Sequence, residues 1–116
     1  MSKKVLIVED NELILLLNER YVTKCGCEVV GRTCDIEEFK LIVKEQQPDV
    51  ILMDILLGQE RDGIDFVLSV PESSAKVIYL SGSSDPATLS RAKLTDYHAF
   101  LVKPVIIDEL KAALSF

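Results

Sequence analysis

Residues Asp49 to Asp54 read DVILMD, a short apolar run with a carboxylate at each end. A nearly continuous apolar run of this length is typical of a strand in a parallel sheet that is covered on both faces. Val5 to Val8 (VLIV) and Lys76 to Leu80 (KVIYL) show the same pattern. Longer stretches with helical periodicity separate these runs. The alternation of strands and helices therefore predicts an α/β fold with a parallel sheet.

Five strands and five helices are predicted along the chain. The strands are expected at Val5 to Val8, Glu28 to Arg32, Asp49 to Asp54, Lys76 to Leu80 and Ala99 to Lys103. The helix boundaries are marked by Asp10 or Asn11 before the first helix, Gly26 after it, Asp35 with Glu38 at the second, and Asp85 with Pro86 at the fourth. Right-handed crossovers between successive strands then give one parallel sheet.

Two smaller expectations concern side chains near the N-terminal half. Leu13, Leu16, Leu17 and Tyr21 are expected to share the apolar face of the first helix. Cys25, Cys27 and Cys34 have spacings that match no zinc site. We therefore predict reduced thiols that pack in the core.

Composition and charge exclude several classes of protein. The 116 residues are 48% hydrophobic and 28% charged, which is typical of one globular domain covering residues 1–116. The net charge of −6 argues against direct binding to nucleic acid, because phosphate backbones select basic surfaces. Apolar stretches fall far short of the ~20 residues of a membrane span. The N-terminus lacks the pattern of a signal peptide, so we expect a cytoplasmic protein with no membrane contact.

Polar residues follow four of the predicted strands at their carboxyl ends. Glu9 and Asp10 follow the first strand, and Asp54 ends the third. Ser81 follows the fourth strand, and Lys103 ends the fifth. In an open parallel sheet the carboxyl ends of the strands share one edge, where ligands bind. We therefore expect three carboxylates, one hydroxyl and one ammonium group to converge.

Such a cluster suits phosphoryl chemistry. Carboxylates ~5 Å apart repel each other by roughly 3 kcal/mol per pair at an effective dielectric of 20. Mg²⁺ relieves this repulsion because it prefers oxygen ligands, and it is commonly held by carboxylates together with phosphate oxygens. Lys103 and Ser81 can contact phosphoryl oxygens. A carboxylate can also act as the nucleophile and form an acyl phosphate.

The residues that carry this chemistry resemble one family. The set Glu9-Asp10, Asp54, Ser81 and Lys103-Pro104 resembles the receiver domain of two-component response regulators, and the resemblance covers essentially the whole chain. It implies a flavodoxin-like three-layer sandwich of five strands, in the order 2-1-3-4-5, with five helices. It also implies a cis peptide bond between Lys103 and Pro104.

The same resemblance assigns roles to individual residues. Asp54 would be the phosphoacceptor, and Lys103 would contact the phosphoryl group. Mg²⁺ would be held by Glu9, Asp10, Asp54 and the backbone carbonyl of Leu56. Ser81 and Phe100 would be the switch residues, while Leu56 and Ser83 would tune the hydrolysis of the acyl phosphate. The only histidine, His98, lies at the start of the fifth strand, away from the acidic edge, and is expected to be structural.

Several positions depart from the usual pattern of the family. Glu9 stands where aspartate is more usual, which leaves direct or water-mediated contact with the metal open. The loop after Asp54 lacks the usual proline and is one residue longer. The third helix, expected around Ile64 to Val70, is short. None of these departures removes a group that the chemistry requires.

The resemblance implies a signalling switch rather than an enzyme, with a sensor histidine kinase or a phosphotransfer protein as the phosphodonor. Ile106 occupies the cap position of the last helix (Ile107 to Ser115), where a polar residue is expected. An apolar residue there suits a binding face made by the fourth helix, the fifth strand and the fifth helix. The partner at this face would be a downstream output domain or a second copy of the chain. Two alternatives are a docking module that no longer switches and a Mg²⁺-dependent aspartyl-phosphate phosphatase. A flavodoxin is disfavoured because Glu9 to Glu12 (EDNE) would repel a flavin phosphate.

Overall fold

Five parallel strands form one sheet in a computed structural model that describes residues 2–116. The strands are β1 (Lys4–Val8), β2 (Glu28–Thr33), β3 (Val50–Asp54), β4 (Lys76–Ser81) and β5 (Ala99–Val102). The helices are α1 (Glu12–Lys24), α2 (Ile36–Gln46), α3 (Gly63–Leu68), α4 (Pro86–Ala92) and α5 (Ile107–Ala113). The strand order β2-β1-β3-β4-β5 confirms the predicted flavodoxin-like sandwich.

The sheet separates two apolar layers. On one face, Val22 of α1 and Leu110 of α5 pack against alternate residues of the central strands. On the other face, Phe39 of α2, Phe66 of α3 and Ala92 of α4 pack against the remaining ones. Residues of β1, β3 and β4 are therefore buried on both sides, which explains why these strands lack polar alternation.

Polar caps fix where the helices begin. Asn11 caps α1 by accepting hydrogen bonds from the backbone N–H groups of Leu13 and Ile14, at 3.0 and 3.1 Å. Asp35 and Asp85 cap α2 and α4 in the same way, with Pro86 at the first helical position as predicted. Gly26 ends α1 in the left-handed region, with φ +82°. No side chain caps α5 at Ile106, which also agrees with the sequence.

The expected apolar face of α1 is wrong for its three leucines, although Tyr21 is half-buried and packs against the core as predicted. Leu13 is 78% exposed, and Leu16 and Leu17 are also exposed. The buried stripe of α1 instead contains Asn18 and Val22, one helical turn apart. Residues 13–17 (LILLL) place apolar side chains all around the helix, so periodicity could not identify the buried side, and a polar residue occupies that side.

Three further expectations need correction. Cys34 is exposed, and Cys25 and Cys27 are half-buried at the margin of the core, although all three thiols are free as predicted. Helix α3 begins at Gly63 and ends at Leu68, two residues before the predicted Val70. The pairing of Asp35 with Glu38 that we expected at the start of α2 is only half formed, because Asp35 accepts from the Glu38 N–H but the Glu38 side chain does not complete a capping box. A complete capping box occurs at α3, between Asp62 and Asp65.

The lengths of the helices show whether any of them could span a membrane. Among residues 2–116 no helix is long and apolar enough to cross a bilayer, and α1 has only 13 residues.

Asn18 provides a test of the packing between α1 and the sheet. Its side chain is 1% exposed, and neither its amide nitrogen nor its amide oxygen has a hydrogen-bond partner. Such a group costs about 1–3 kcal/mol of stability. We expect Asn18→Leu to raise the free energy of unfolding in urea by about 1 kcal/mol or more, because the unpaired amide is replaced by apolar contact. Arg20→Leu, on the exposed side of the same helix, should change it little; a loss of stability in Asn18→Leu would show that the buried amide is not a net cost to the fold.

Candidate functional site

The carboxyl ends of four strands bring the predicted site residues to one edge of the sheet. Glu9 directly follows β1, and Asp54 and Ser81 are the last residues of β3 and β4. Lys103 directly follows β5, and its backbone N–H donates to the carbonyl oxygen of Ser81 at 2.7 Å. Glu9, Asp54 and Ser81 are buried although their side chains are polar.

Three carboxylates form the acidic centre of this edge. Glu9, Asp10 and Asp54 each place one carboxylate oxygen within 4.8 Å of the other two. Glu9 is 4% exposed and Asp54 is 2% exposed, whereas Asp10 is exposed to solvent. The cluster therefore combines two nearly dry carboxylates with one at the surface, which leaves it open on the side of Asp10.

Lys103 is the counter-charge of the two buried acids. Its ammonium nitrogen lies 2.9 Å from Asp54 Oδ1 and 3.6 Å from Glu9 Oε1. Burial lowers the pKa of Lys103, but its contacts with Asp54 and Glu9 outweigh that effect and raise the pKa overall. The lysine therefore stays protonated and supplies one positive charge against three acidic groups.

The position of Glu9 is set by the start of α1. Glu9 Oε2 accepts hydrogen bonds from the backbone N–H groups of Asp10 and Asn11, at 3.0 and 3.3 Å. Burial raises the pKa of Glu9 to about 7, and the neighbouring carboxylates of Asp54 and Asp10 add to this effect. The hydrogen bond from the Asn11 N–H lowers the pKa, but by less. Oε1 has no hydrogen-bond partner and remains directed to the shared centre.

Asn11 also resolves the alternative left open for the first cap. Because the amide oxygen of Asn11 accepts from both Leu13 and Ile14, α1 does not need Asp10 as its cap. The carboxylate of Asp10 is thus free to join Glu9 and Asp54.

Ser81 lies at the site but contacts its own loop. Its hydroxyl donates to the carbonyl oxygen of Ser83 at 2.7 Å, and the Ser83 N–H donates back to Ser81 Oγ at 3.2 Å. The hydroxyl of Ser83 in turn donates to Asp85, the cap of α4. In this conformation Ser81 therefore connects the site to the start of α4 rather than to Asp54.

Phe100 lies further from the acids, in a cluster of aromatic rings. It pairs with Tyr79 across β4 and β5, and its ring centroid is 6.4 Å from that of Tyr79 and 6.1 Å from that of Tyr97. The ring is half-buried, so it is packed from one side only. His98 lies at the opposite end of β5 from Lys103, where its Nε2 is 3.0 Å from the carbonyl oxygen of Ala113.

The loop from Ile55 to Asp62 directly follows Asp54 and lies beside the acidic cluster. Leu56, whose carbonyl is the predicted ligand, has a side chain that is 78% exposed, whereas Leu57 is buried in the core. At the far end of the loop, Gly63 approaches β3 so closely that a Cβ there would lie 2.3 Å from the backbone oxygen of Asp54. Only glycine permits this approach, so α3 begins against the site.

Sequence reasoning did not identify two contacts of this loop. Arg91 of α4 forms ion pairs with Asp62 and Asp65 at the start of α3. Gln59 Nε2 donates to the backbone oxygen of Cys34 at 2.8 Å. The first had no sequence signal, because Arg91 is 29 and 26 positions away from Asp62 and Asp65 in the chain. The second had no signal, because a side chain that bonds to a distant backbone oxygen leaves no pattern.

The donor set fits a small, hard cation. Glu9 Oε1 and Asp54 Oδ1 are buried atoms without a hydrogen-bond partner, although Lys103 is close enough for charge interaction with both. One lysine cannot neutralise three carboxylates at such short separations. An oxygen-only set of this kind, with one side open to solvent, suits Mg²⁺, which retains some of its waters.

Comparison with known proteins agrees with this geometry. The family model described as "Response regulator receiver domain" matches residues 5–115. The chain is 33% identical over 106 residues to the chemotaxis protein CheY of Thermotoga maritima, covering 90% of this chain and 88% of that protein. It is 32% identical over 115 residues to the probable C4-dicarboxylate response regulator DctR of Halalkalibacterium halodurans, covering 97% of this chain and 50% of that protein.

A solved structure with the same fold is the signal receiver domain of a modulated diguanylate cyclase from Desulfovibrio desulfuricans G20. It has a TM-score of 0.89 and 29% identity, over 98% of this chain and 91% of that one. The chain thus spans about half the length of some curated relatives, such as DctR, and most of the length of others, such as CheY.

Metal binding provides a direct test of the site. We expect Mg²⁺ to raise the melting temperature of the chain, because a cation that binds only the folded state adds about 2.7 kcal/mol of stability at a concentration 100 times its Kd. Removing the metal with EDTA should reverse the shift. Asp10→Asn should abolish most of it, whereas Glu45→Gln, at an exposed position on α2, should not. A shift that is equal in Asp10→Asn and wild type would argue against this site.

Proposed function

Since the chain belongs to the family of response regulator receiver domains, we propose that it is a switch in a two-component phosphorelay, with residues 1–116 as one receiver domain. Membership of the family supports a role in phosphorylation-dependent signalling. The finer assignment is that Asp54 accepts a phosphoryl group from a partner phosphohistidine and that the acyl phosphate changes a partner-binding face.

One observation carries this proposal. The carboxylate of Asp54, buried at the end of β3, has an ammonium group 2.9 Å away and two further carboxylates within 4.8 Å. Lys103 stabilises negative charge beside the acceptor, while Glu9 and Asp10 attract a divalent cation to the same place. An acceptor, a fixed positive charge and a cation site are the groups that phosphoryl transfer needs.

The proposed transfer conserves atoms and charge. An oxygen of Asp54 attacks the phosphorus atom of the phosphohistidine, forming a P–O bond while the P–N bond breaks. The imidazole of the donor leaves and takes a proton from solvent. The ammonium group of Lys103 then contacts the transferred phosphoryl group, which replaces its contact with the Asp54 carboxylate.

The metal role is assigned to Glu9, Asp10, Asp54 and the backbone carbonyl of Leu56. When bound, Mg²⁺ supplies charge neutralisation at the phosphoryl oxygens. Glu9 Oε2 is already engaged by the Asp10 and Asn11 N–H groups, so Oε1 is the oxygen that it offers. The longer side chain of glutamate fits here because it can reach the start of α1 and still present one oxygen to the cluster.

The switch is assigned to Ser81 and Phe100. Ser81 now donates to Ser83, so it must give up that bond to reach a phosphoryl group on Asp54. Ser83 is linked to Asp85 at the start of α4, so a movement of Ser81 would act on that helix. The half-buried ring of Phe100 could then turn inward against Tyr79 and Tyr97. Phosphorylation would in this way shift an equilibrium between two arrangements of α4 and β5.

The partners follow from this role. A sensor histidine kinase or a phosphotransfer protein would donate the phosphoryl group, and an output domain or a second copy would bind the α4-β5-α5 face. Exposed apolar side chains support that face: Leu94 after α4, Val102 on β5 and Ile106 before α5. The domain itself would not bind nucleic acid, given its net charge of −6. A cytoplasmic location stays a prediction.

The two alternatives receive less support. An aspartyl-phosphate phosphatase would use a second acid two residues after its nucleophile, and that position is Leu56, an exposed apolar residue. A docking module that no longer switches would not need Asp54, Lys103 and the acidic pair to remain together, as they do here. We therefore treat the chain as a signalling domain that assists its own phosphorylation and dephosphorylation, and not as an enzyme with a separate substrate.

Acetyl phosphate tests the phosphoacceptor. We expect wild type incubated with acetyl phosphate and Mg²⁺ to gain the mass of one phosphoryl group, and Asp54→Asn to gain none, because an amide oxygen is a poor nucleophile. Asp49→Asn, just before the other end of β3, is the matched control and should react like wild type. Intact mass spectrometry measures all three. An unmodified wild type, or an equal gain in Asp54→Asn, would contradict the assignment.

Ser81→Ala tests the switch separately from the chemistry. We expect the variant to be phosphorylated on Asp54 but to lose the change in near-ultraviolet circular dichroism of the tyrosine and phenylalanine rings that phosphorylation causes in wild type. The reason is that no hydroxyl remains to follow the phosphoryl group. Ser84→Ala, in the same loop, should keep the change. A full spectral change in Ser81→Ala would show that the switch does not depend on Ser81.

A further inference from the structure

The loop between β3 and α3 is held over the acidic site at several points. Leu57 is buried in the core at 2% exposure, on the side of the sheet that α2 and α3 cover. Gln59, two residues further, bonds to the backbone oxygen of Cys34 in the loop between β2 and α2. At its end, Asp62 caps α3 and pairs with Arg91 of α4. The segment between these anchors is therefore constrained rather than free.

Gly58 lies between the first two anchors and against a carboxylate of the site. Its φ of +65° falls in the left-handed region, which a residue with a side chain adopts only with strain. A Cβ at this position would lie 3.1 Å from Asp10 Oδ2. That distance is shorter than ordinary van der Waals contact, so a methyl group here would press on this oxygen of Asp10.

The consequence of this contact depends on whether Asp10 is free to move. Asp10 is exposed, and its neighbour Asn11 provides the helix cap, so the carboxylate can turn away when no cation holds it. A carboxylate that binds a metal ion cannot turn without losing its ligand geometry. A Cβ at position 58 would therefore disturb the metal-bound state more than the metal-free state.

We propose that Gly58 is a positioning residue for the cation site: its bare backbone leaves room for the Asp10 carboxylate in its metal-binding orientation, and the Gln59 hydrogen bond to Cys34 holds Gly58 there. This inference rests on the proposed function, because it assumes that Mg²⁺ is the ion that Glu9, Asp10 and Asp54 bind. It extends the site to two residues of the lengthened loop that have no ligand atom in the acidic cluster.

A matched pair of glycine variants separates this role from backbone strain. Gly26 also has a positive φ, +82°, but no atom lies within 4 Å of the position of its Cβ. Gly26→Ala and Gly58→Ala should therefore lower the melting temperature of the metal-free chain by similar amounts. Only Gly58→Ala should weaken Mg²⁺ binding, by about tenfold or more, the range seen when groups that orient metal ligands are altered.

Isothermal titration of the chain with MgCl₂ measures the Kd of each variant, and thermal unfolding without metal measures its stability. Gln59→Ala is a second variant that introduces no strained residue. It should weaken Mg²⁺ binding by about two- to tenfold, which corresponds to the loss of one hydrogen bond that holds the loop. Gly26→Ala should stay within about twofold of wild type.

The outcomes distinguish the two proposals. Mg²⁺ binding in wild type that is weakened in Gly58→Ala and Gln59→Ala, but not in Gly26→Ala, would support this inference. If wild type binds Mg²⁺ and the Kd of Gly58→Ala is the same as that of Gly26→Ala, the positioning role of Gly58 is wrong while the proposed function stands. If wild type binds no Mg²⁺, the metal assignment of the proposed function fails, and this inference fails with it.

Discussion

Among the residues that the structure describes, the ammonium group of Lys103 is the positive charge that lies against the two carboxylates buried side by side at the edge of the sheet. Asp54 and Glu9 are almost completely removed from solvent, at 2% and 4% exposure, and Lys103 lies 2.9 and 3.6 Å from them. Burial of unpaired carboxylates would be strongly unfavourable. The lysine compensates for only part of this charge, so the electrostatics of the site favour a bound cation.

Backbone groups complete what the lysine begins. The N–H groups at the start of α1 hold one oxygen of Glu9, and Asn11 serves as the helix cap, which leaves Asp10 to the cluster. At the end of β3, Gly63 lets α3 start directly against the backbone of Asp54. The site is therefore built largely from helix and strand ends. These helix and strand ends keep the three acids in place within residues 2–116.

The same edge connects to the surface that is proposed to respond. Ser81 reaches α4 through Ser83 and Asp85, and Arg91 connects α4 to the start of α3. Between β4 and β5, Phe100 packs on Tyr79 from one side only. In the proposed function, phosphorylation of Asp54 would act on α4 and β5 through these contacts.

The strands and the acidic edge were predictable from the sequence pattern, and the strand order was implied by the family resemblance. The packing of α1 and the anchors of the β3–α3 loop were decided by the tertiary structure. Short apolar runs such as VLIV and DVILMD determine buried strands, because no other arrangement removes both of their faces from water. Helix α1 has apolar residues on every side, so only packing against the sheet buried Asn18 and left Leu13 exposed. The bond from Gln59 to Cys34 and the contact of Gly58 with Asp10 join residues far apart in the chain. Periodicity reports the neighbours of a residue along a helix or strand, and contacts of this kind exist only once the strands have been assembled.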